Sequence, residues 1–274
     1  MGKLLPAAVF AFAASCILIA LKAQNPAPAV EEYPAPLVRE RQSVVIGNAT
    51  ETWELRWKAP PAPVCDASEA DASLTCPCTG FAYGEDGDLT LVRLRNGEEI
   101  DRLALSALFK DNDAVPESGA ILQRWEPDYE KDFAASEKDD FRDVVARRPV
   151  VKIMNFIDYD HDGNRSEFYL KTDTAPCGKS KGVVVGISEL DPKLHVFTVI
   201  SKPAEPLVLQ KEMWEALSRA LQPVEVVQWQ CEDHGSDEET TVRLHSAGGE
   251  IDGIRRSFAC PRYPDQAPVR EGPL

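Results

Sequence analysis

The sequence predicts a mainly β fold, an exported, disulfide-stapled β-sandwich or set of twisted sheets carrying one packed helix. Three observations lead there. Short apolar or alternating runs recur between turn-rich segments along the 274 residues, punctuated by 21 Pro and 16 Gly. A single clear stripe at spacings of three and four, Leu209, Met213, Ala216, Leu217, Ala220 and Leu221, marks a helix that Pro223 ends. An export-type leader is followed by six further cysteines, and an even count in an exported chain reads as disulfides.

At the N-terminus Lys3 precedes an apolar run over 4–21, interrupted only by Pro6, Ser15 and Cys16 and closed by Lys22 and Ala23. Residues 1–23 therefore read as a signal peptide or, if retained, an N-terminal anchor through 4–21, and the expected location is periplasmic or extracellular. Lipidation at Cys16 ranks lowest, because Ala13 stands where a lipobox has Leu and the apolar run continues past the cysteine. Residues 24–42, with Pro26, Pro28, Pro34 and Pro36, form a semi-rigid spacer.

A cysteine-containing β-meander follows over 43–125. Strands are expected at 43–46 and 53–57, where Trp53, Leu55 and Trp57 alternate with Glu54 and Arg56. The small, polar stretch 65–79 suits a stapled loop. Strands over 89–94 and 100–105 flank Asn96-Gly97, a hairpin signal because both residues tolerate positive φ. Residues 126–149 are the most charged part of the chain and are read as a helical connector ended by Pro149. The β-rich domain 150–274 then carries expected strands at 150–157, 168–171, 182–188, 196–201, 224–230, 240–245 and 253–260, with turns at Pro176-Cys177-Gly178 and Asp191-Pro192.

Composition limits the partners. Lys plus Arg number 30 against 45 Asp plus Glu, a net charge of -15, and such a surface repels phosphate backbones, so no nucleic acid is expected. Membrane contact is expected only if the N-terminal segment is retained. Of Cys65, Cys76, Cys78, Cys177, Cys231 and Cys260, the last two open and close the final β segment and are expected to pair. Cys76 and Cys78 are too close to pair with each other without strain, so Cys65 and Cys177 are their expected partners. A thiolate site on Cys76, Cys78, Cys231 and His234 is the rival, disfavoured by the lack of Cys-x2-Cys units.

The most specific stretch is Asp158-Tyr159-Asp160-His161-Asp162-Gly163-Asn164-Arg165-Ser166-Glu167. Carboxylates at every second position of a tight turn can converge on one hard cation, and the glycine permits the reversal. Asp158, Asp160, Asp162 and Gly163 resemble positions 1, 3, 5 and 6 of EF-hand calcium loops, and also the loops of FG-GAP and VCBS-type secreted β-repeats. The likeness covers these ten residues alone, and the strand-like flanks favour the β-repeat type. It implies Ca²⁺ held by Asp158, Asp160, Asp162, the carbonyl of Asn164 and Glu167, with water completing the shell. Closure departs from both patterns: position 12 is Tyr169, position 9 is Ser166, and Glu167 sits one residue off, reaching the ion only if the backbone bulges.

Other signatures are weaker. Gly178-Lys179-Ser180-Lys181-Gly182 has the letters of a nucleophile elbow but runs into Val183-Val184-Val185, a strand rather than a helix. His161, inside the loop, is expected to face solvent, and Cys231-Glu232-Asp233-His234 is the first place to seek a general base. The leading function is a non-enzymatic exported protein whose calcium loop rigidifies a surface for an unknown protein or cell-envelope component. The alternatives are a hydrolase with a site near His161, His195 or His234, and a structural envelope protein without metal.

Overall fold

The computed structural model describes residues 37–64, 81, 83–109, 119–126, 128, 147–175 and 179–274. The leader, the cysteines at 65, 76, 78 and 177, and most of the charged connector therefore lie outside the described residues, as does the turn at 176–178. In chain order the strands are β1 (Leu37–Ile46), β2 (Ala49–Trp57), β3 (Ala62–Val64), β4 (Gly84–Gly87), β5 (Leu89–Arg95), β6 (Glu98–Ala104) and β7 (Ala120–Gln123). They continue with β8 (Glu167–Ala175), β9 (Lys179–Gly186), β10 (His195–Val196) and β11 (Leu209–Gln210), then helix α1 (Lys211–Arg219). The chain closes with β12 (Val224–Trp229), β13 (Glu238–Ala247), β14 (Glu250–Ala259) and β15 (Arg270–Pro273).

These strands make four antiparallel sheets, as a mainly β reading requires: β1-β2-β5-β6, β3-β4-β7, a central sheet in which β9 lies between β8 and β10/β11, and β12-β13-β14-β15. The central sheet explains an unusual run. Val183-Val184-Val185 shows no alternation because β9 is covered on both faces. Val183 and Val185 enter one core with Phe168 and Leu170, against Trp53, Leu55, Leu89 and Leu91 of the first sheet. Val184 enters a second core on the opposite face with Met213, Trp214 and Leu217 of α1 and Val242 and Leu244 of β13. That first core joins residues from both sides of the 126–149 segment.

Close packing in the central sheet depends on two glycines. A Cβ on Gly182 would lie 2.1 Å from the Leu170 carbonyl oxygen, and one on Gly186 would lie 2.4 Å from that of Ser166. Helix α1 is fixed over this sheet by Trp214, which is fully buried and donates its indole N–H to the Gly182 carbonyl at 3.1 Å. Trp214 was not in the expected stripe, whereas Leu221 lies beyond the helix and is 75% exposed. The N–H of Ala220 returns to the Leu217 carbonyl and closes the helix.

The hairpin at Asn96-Gly97 forms as expected, with φ of 53° and 83° and Arg95 opposite Glu98. An equivalent turn at Gly248-Gly249 joins β13 to β14. Cys231 and Cys260 are disulfide-bonded, which removes Cys231 from any thiolate metal site. Gly84–Gly87 form the strand β4, and Lys179 and Ser180 belong to β9.

Three expectations require correction. Residues 150–157 do not form a strand: they hold only isolated bridges, Trp125 to Val150 and Ile157 to Glu167. Their amides are taken elsewhere, since Ile153 and Met154 donate to the Glu40 carboxylate at 2.7 and 3.1 Å and Val151 donates to the Arg124 carbonyl. Of the strand expected over 196–201, only His195–Val196 pairs with β9. β1 in turn starts at Leu37, inside the segment read as spacer. Arg39 anchors it, bonding Glu85 and the carbonyls of Gln123 and Val151 over sequence distances no local pattern reveals.

Buried carboxylates hold the first sheet laterally. Glu51 accepts from Arg93 at 2.8 Å, from Arg95 at 2.7 Å and from the Trp53 indole at 3.0 Å. Burial raises the Glu51 pKa, but these donors overcome it and leave the group below its ordinary value. Glu54 is similarly held between Arg41 and Arg56. Breaking a buried pair strands the remaining charge. Glu51→Ala should therefore lower stability by about 3–5 kcal/mol, measured as a shift of the urea midpoint at unchanged slope.

Candidate metal centre

The loop 158–166 connects the irregular segment to β8 and is tied to its surroundings at several points. His161 has φ 55° and Gly163 φ 91°, so the reversal uses two left-handed residues where the sequence signalled one. The Asp160 carbonyl accepts from Gly249 N–H at 3.2 Å, joining the loop to the β13–β14 turn. His161 does not face solvent as expected: its Nε2 lies 3.0 Å from the Leu217 carbonyl at the end of α1. Tyr159 is buried with its ring edge-on to Trp214 at 5.8 Å.

Within this frame Asp158, Asp160 and Glu167 converge, with one oxygen of each lying within 4.8 Å of the others. Asp160 and Glu167 are completely buried. Oδ1 of Asp158 and Oδ2 of Asp160 are buried without a hydrogen-bond partner, a costly state for an ionised group unless a cation or a proton compensates it. Glu167 is better supported. Its Oε2 accepts from Tyr159 N–H at 2.8 Å, and its Oε1 from the Ser166 hydroxyl at 2.6 Å and the Ser166 N–H at 3.1 Å.

The closing carboxylate reaches the cluster because Glu167 opens β8 opposite Gly186, while its own carbonyl accepts from Ile157 N–H at 2.8 Å. That bridge brings both ends of the loop together. Asp162 is placed differently. Its two oxygens accept from the backbone of Asn164 and of Glu189, each at 2.7 Å, so it braces the loop against the segment after β9. The Asn164 amide is thereby committed to the turn, and Gly163 N–H caps Asp158 at 3.1 Å.

Electrostatics follow from the burial. Desolvation, aided by Asp162 and Asp158, pushes Asp160 up to about 7. Desolvation again dominates at Glu167 and, with Asp160 adding to it, takes that group to about 8 against the opposing bonds from Ser166 and Tyr159. Three carboxylate oxygens within 4.8 Å of one another are an arrangement that can hold a metal ion.

Sequence reasoning missed Tyr159, Ser166 and Gly186 as supporting residues; only Gly186 carried a signal, as a glycine ending an apolar strand. The histidines are dispersed over different partners. His195 Nδ1 lies 2.9 Å from the Lys193 carbonyl and 3.7 Å from Asp191, and the His234 side chain lies outside the described residues. Asp233 begins a short 3-10 turn and lies 3.8 Å from Lys179. Comparison of the chain with protein-family models, with curated proteins and with solved structures finds no match.

The pH dependence has a definite sign. Carboxyls whose folded pKa is raised bind protons more tightly in the native state, so their contribution is fully present below the unfolded value near 4 and is lost as pH rises through about 7 to 8. In chelator the melting temperature should fall as pH rises from 5 to 8, an effect that Asp160→Asn should reduce. Gly186→Ala should drive Glu167 from the cluster, seen as loss of any cation-induced change in melting while the fold persists at low temperature.

Proposed function

We propose that this is an exported β-rich protein in which Asp158, Asp160 and Glu167 bind Ca²⁺ as a structural ion, fixing a surface that engages a protein or cell-envelope component. The observation that carries this reading is the fully buried Asp160, whose Oδ2 has no protein donor, clustered with Asp158, whose Oδ1 likewise has none. A cation satisfies both oxygens at once. The Asp-x-Asp-x-Asp-Gly order supports calcium in particular, by its resemblance to known calcium loops. Asp162 contributes by bracing the loop, and Asn164 by its backbone.

Export is supported by Lys3 and the apolar run that follows it, together with the disulfide between Cys231 and Cys260. Millimolar calcium outside the cytoplasm suits a weak site. With a dissociation constant of about 10⁻⁴ M and about 1 mM free ion, binding stabilises the fold by about 1.4 kcal/mol. Such a contribution holds a loop, and it suits a structural ion whose ligands come largely from the protein.

The test is thermal. Adding 1 mM Ca²⁺ to the chelated wild type at pH 7.5 should raise the melting temperature by about 3–5 °C. Asp160→Asn should abolish the increase and still unfold cooperatively in chelator. An unchanged wild-type melting curve at saturating calcium would sink the proposal.

A further inference from the structure

A second feature lies on the far side of Tyr159, independent of the cation. A cleft of about 500 Å³ opens between the central sheet, the start of α1 and the irregular segment 150–157, within the roughly 300–1,000 Å³ typical of small-molecule sites. Its inner wall is apolar, formed by Phe81, Ile121, Leu122 and Leu170, all nearly or fully buried. Its polar groups are mixed, with Gln123, Asn155, Tyr169 and Ser180 beside charged side chains of both signs. Lys152, Lys171 and Lys211 line it against the carboxylates of Glu126 and Glu215.

Among the charged side chains that line it, three lysines face two glutamates, an excess of one positive charge in a chain whose net charge is -15. The Lys171 ammonium sits 4.3 Å from the centre of the Phe81 ring, where its stem runs along the apolar wall. Burial lowers its pKa to about 8, with Asp173 and Glu126 opposing and Lys211 adding to the effect, so an anion alongside would favour its charged form. Glu215 is shared by Arg219 at 2.9 Å and Lys211 at 3.9 Å, which leaves Lys211 the weaker claim on it. Tyr169 Oη and Ser180 Oγ lie 3.0 Å apart at the same wall. The pair carries two hydroxyl protons and its mutual hydrogen bond uses one, so the other can be donated to an oxyanion.

We propose that this cleft is a binding site for a small amphiphilic anion, a molecule with one carboxylate or sulfonate on an aromatic or aliphatic body. The anionic end meets Lys171, Lys211 and the Tyr169–Ser180 hydroxyl pair, and the body lies against Phe81 and Leu122. Neither end requires the cation site.

The probe is 8-anilinonaphthalene-1-sulfonate, compared with N-phenyl-1-naphthylamine, which has the same rings without the charge. Natively folded wild type should bind the sulfonate saturably and at one site, by fluorescence and calorimetry in chelator. Lys171→Met should weaken that binding by about tenfold or more and change binding of the neutral probe by less than about twofold. Lys211→Gln, at an exposed position where folding is not at stake, should weaken sulfonate binding by about threefold. Absence of saturable sulfonate binding by folded wild type, or wild-type sulfonate affinity in both variants, would overturn the proposal.

Discussion

The pairing of β8 with β9 is the constraint on which the rest of this structure depends. Both faces of that pair are buried, one against the first sheet and the other against α1 and β13. At its centre β9 is accordingly apolar on both sides, as Val183-Val184-Val185, and buried backbone polar groups there must be met within the sheet. Gly182 and Gly186 allow the close approach that meets them, while Trp214 spends its one polar atom on the same strand. The outer layers are organised around this centre, each contributing a core that the other lacks.

The carboxylate cluster is a consequence of that arrangement. Glu167 is the first residue of β8, so its carboxylate is placed by the sheet, and the loop before it is tied to the β13–β14 turn, to α1 and to the segment after β9. Burying Asp160 and Glu167 together beside the half-buried Asp158 is unfavourable unless a counter-charge or protons accompany them. The fold tolerates the arrangement because hydrogen bonds from Tyr159 and Ser166 already offset part of the cost at Glu167, while Asp158 and Asp160 keep one oxygen each in need of a partner.

Electrostatics divide the molecule in an instructive way. Buried acids elsewhere, such as Glu51 and Glu54, are clamped by arginines and act as lateral ties between strands. At the cluster no arginine or lysine makes an ion pair with the acids among the described residues, and their affinity for protons rises accordingly. The same residue type therefore serves two purposes, decided by whether a guanidinium reaches it. Tyr159 separates the acidic cluster from the lysine-lined cleft, with its amide facing one and its ring bordering the other.

Much of the local structure was legible in the residues themselves: the alternating Trp53, Leu55 and Trp57, the Asn96-Gly97 turn, the presence of a helix before Pro223, and the final disulfide all follow from periodicity, turn stereochemistry and cysteine placement. The acidic order of 158–162 and its glycine were likewise visible as a tight turn rich in carboxylates, and the turn does bring Asp158 and Asp160 together. Tertiary structure decided what depends on distant partners. It removed 150–157 from strand pairing through Glu40, extended β1 through Arg39, and turned Asp162 outward to Glu189. It also brought Glu167 into the cluster, because Gly186 opposite it allows two backbones to approach more closely than any side chain would permit. Sequence spacing reports neighbours along one chain direction, whereas convergence of buried charges is set by which strands pair across it.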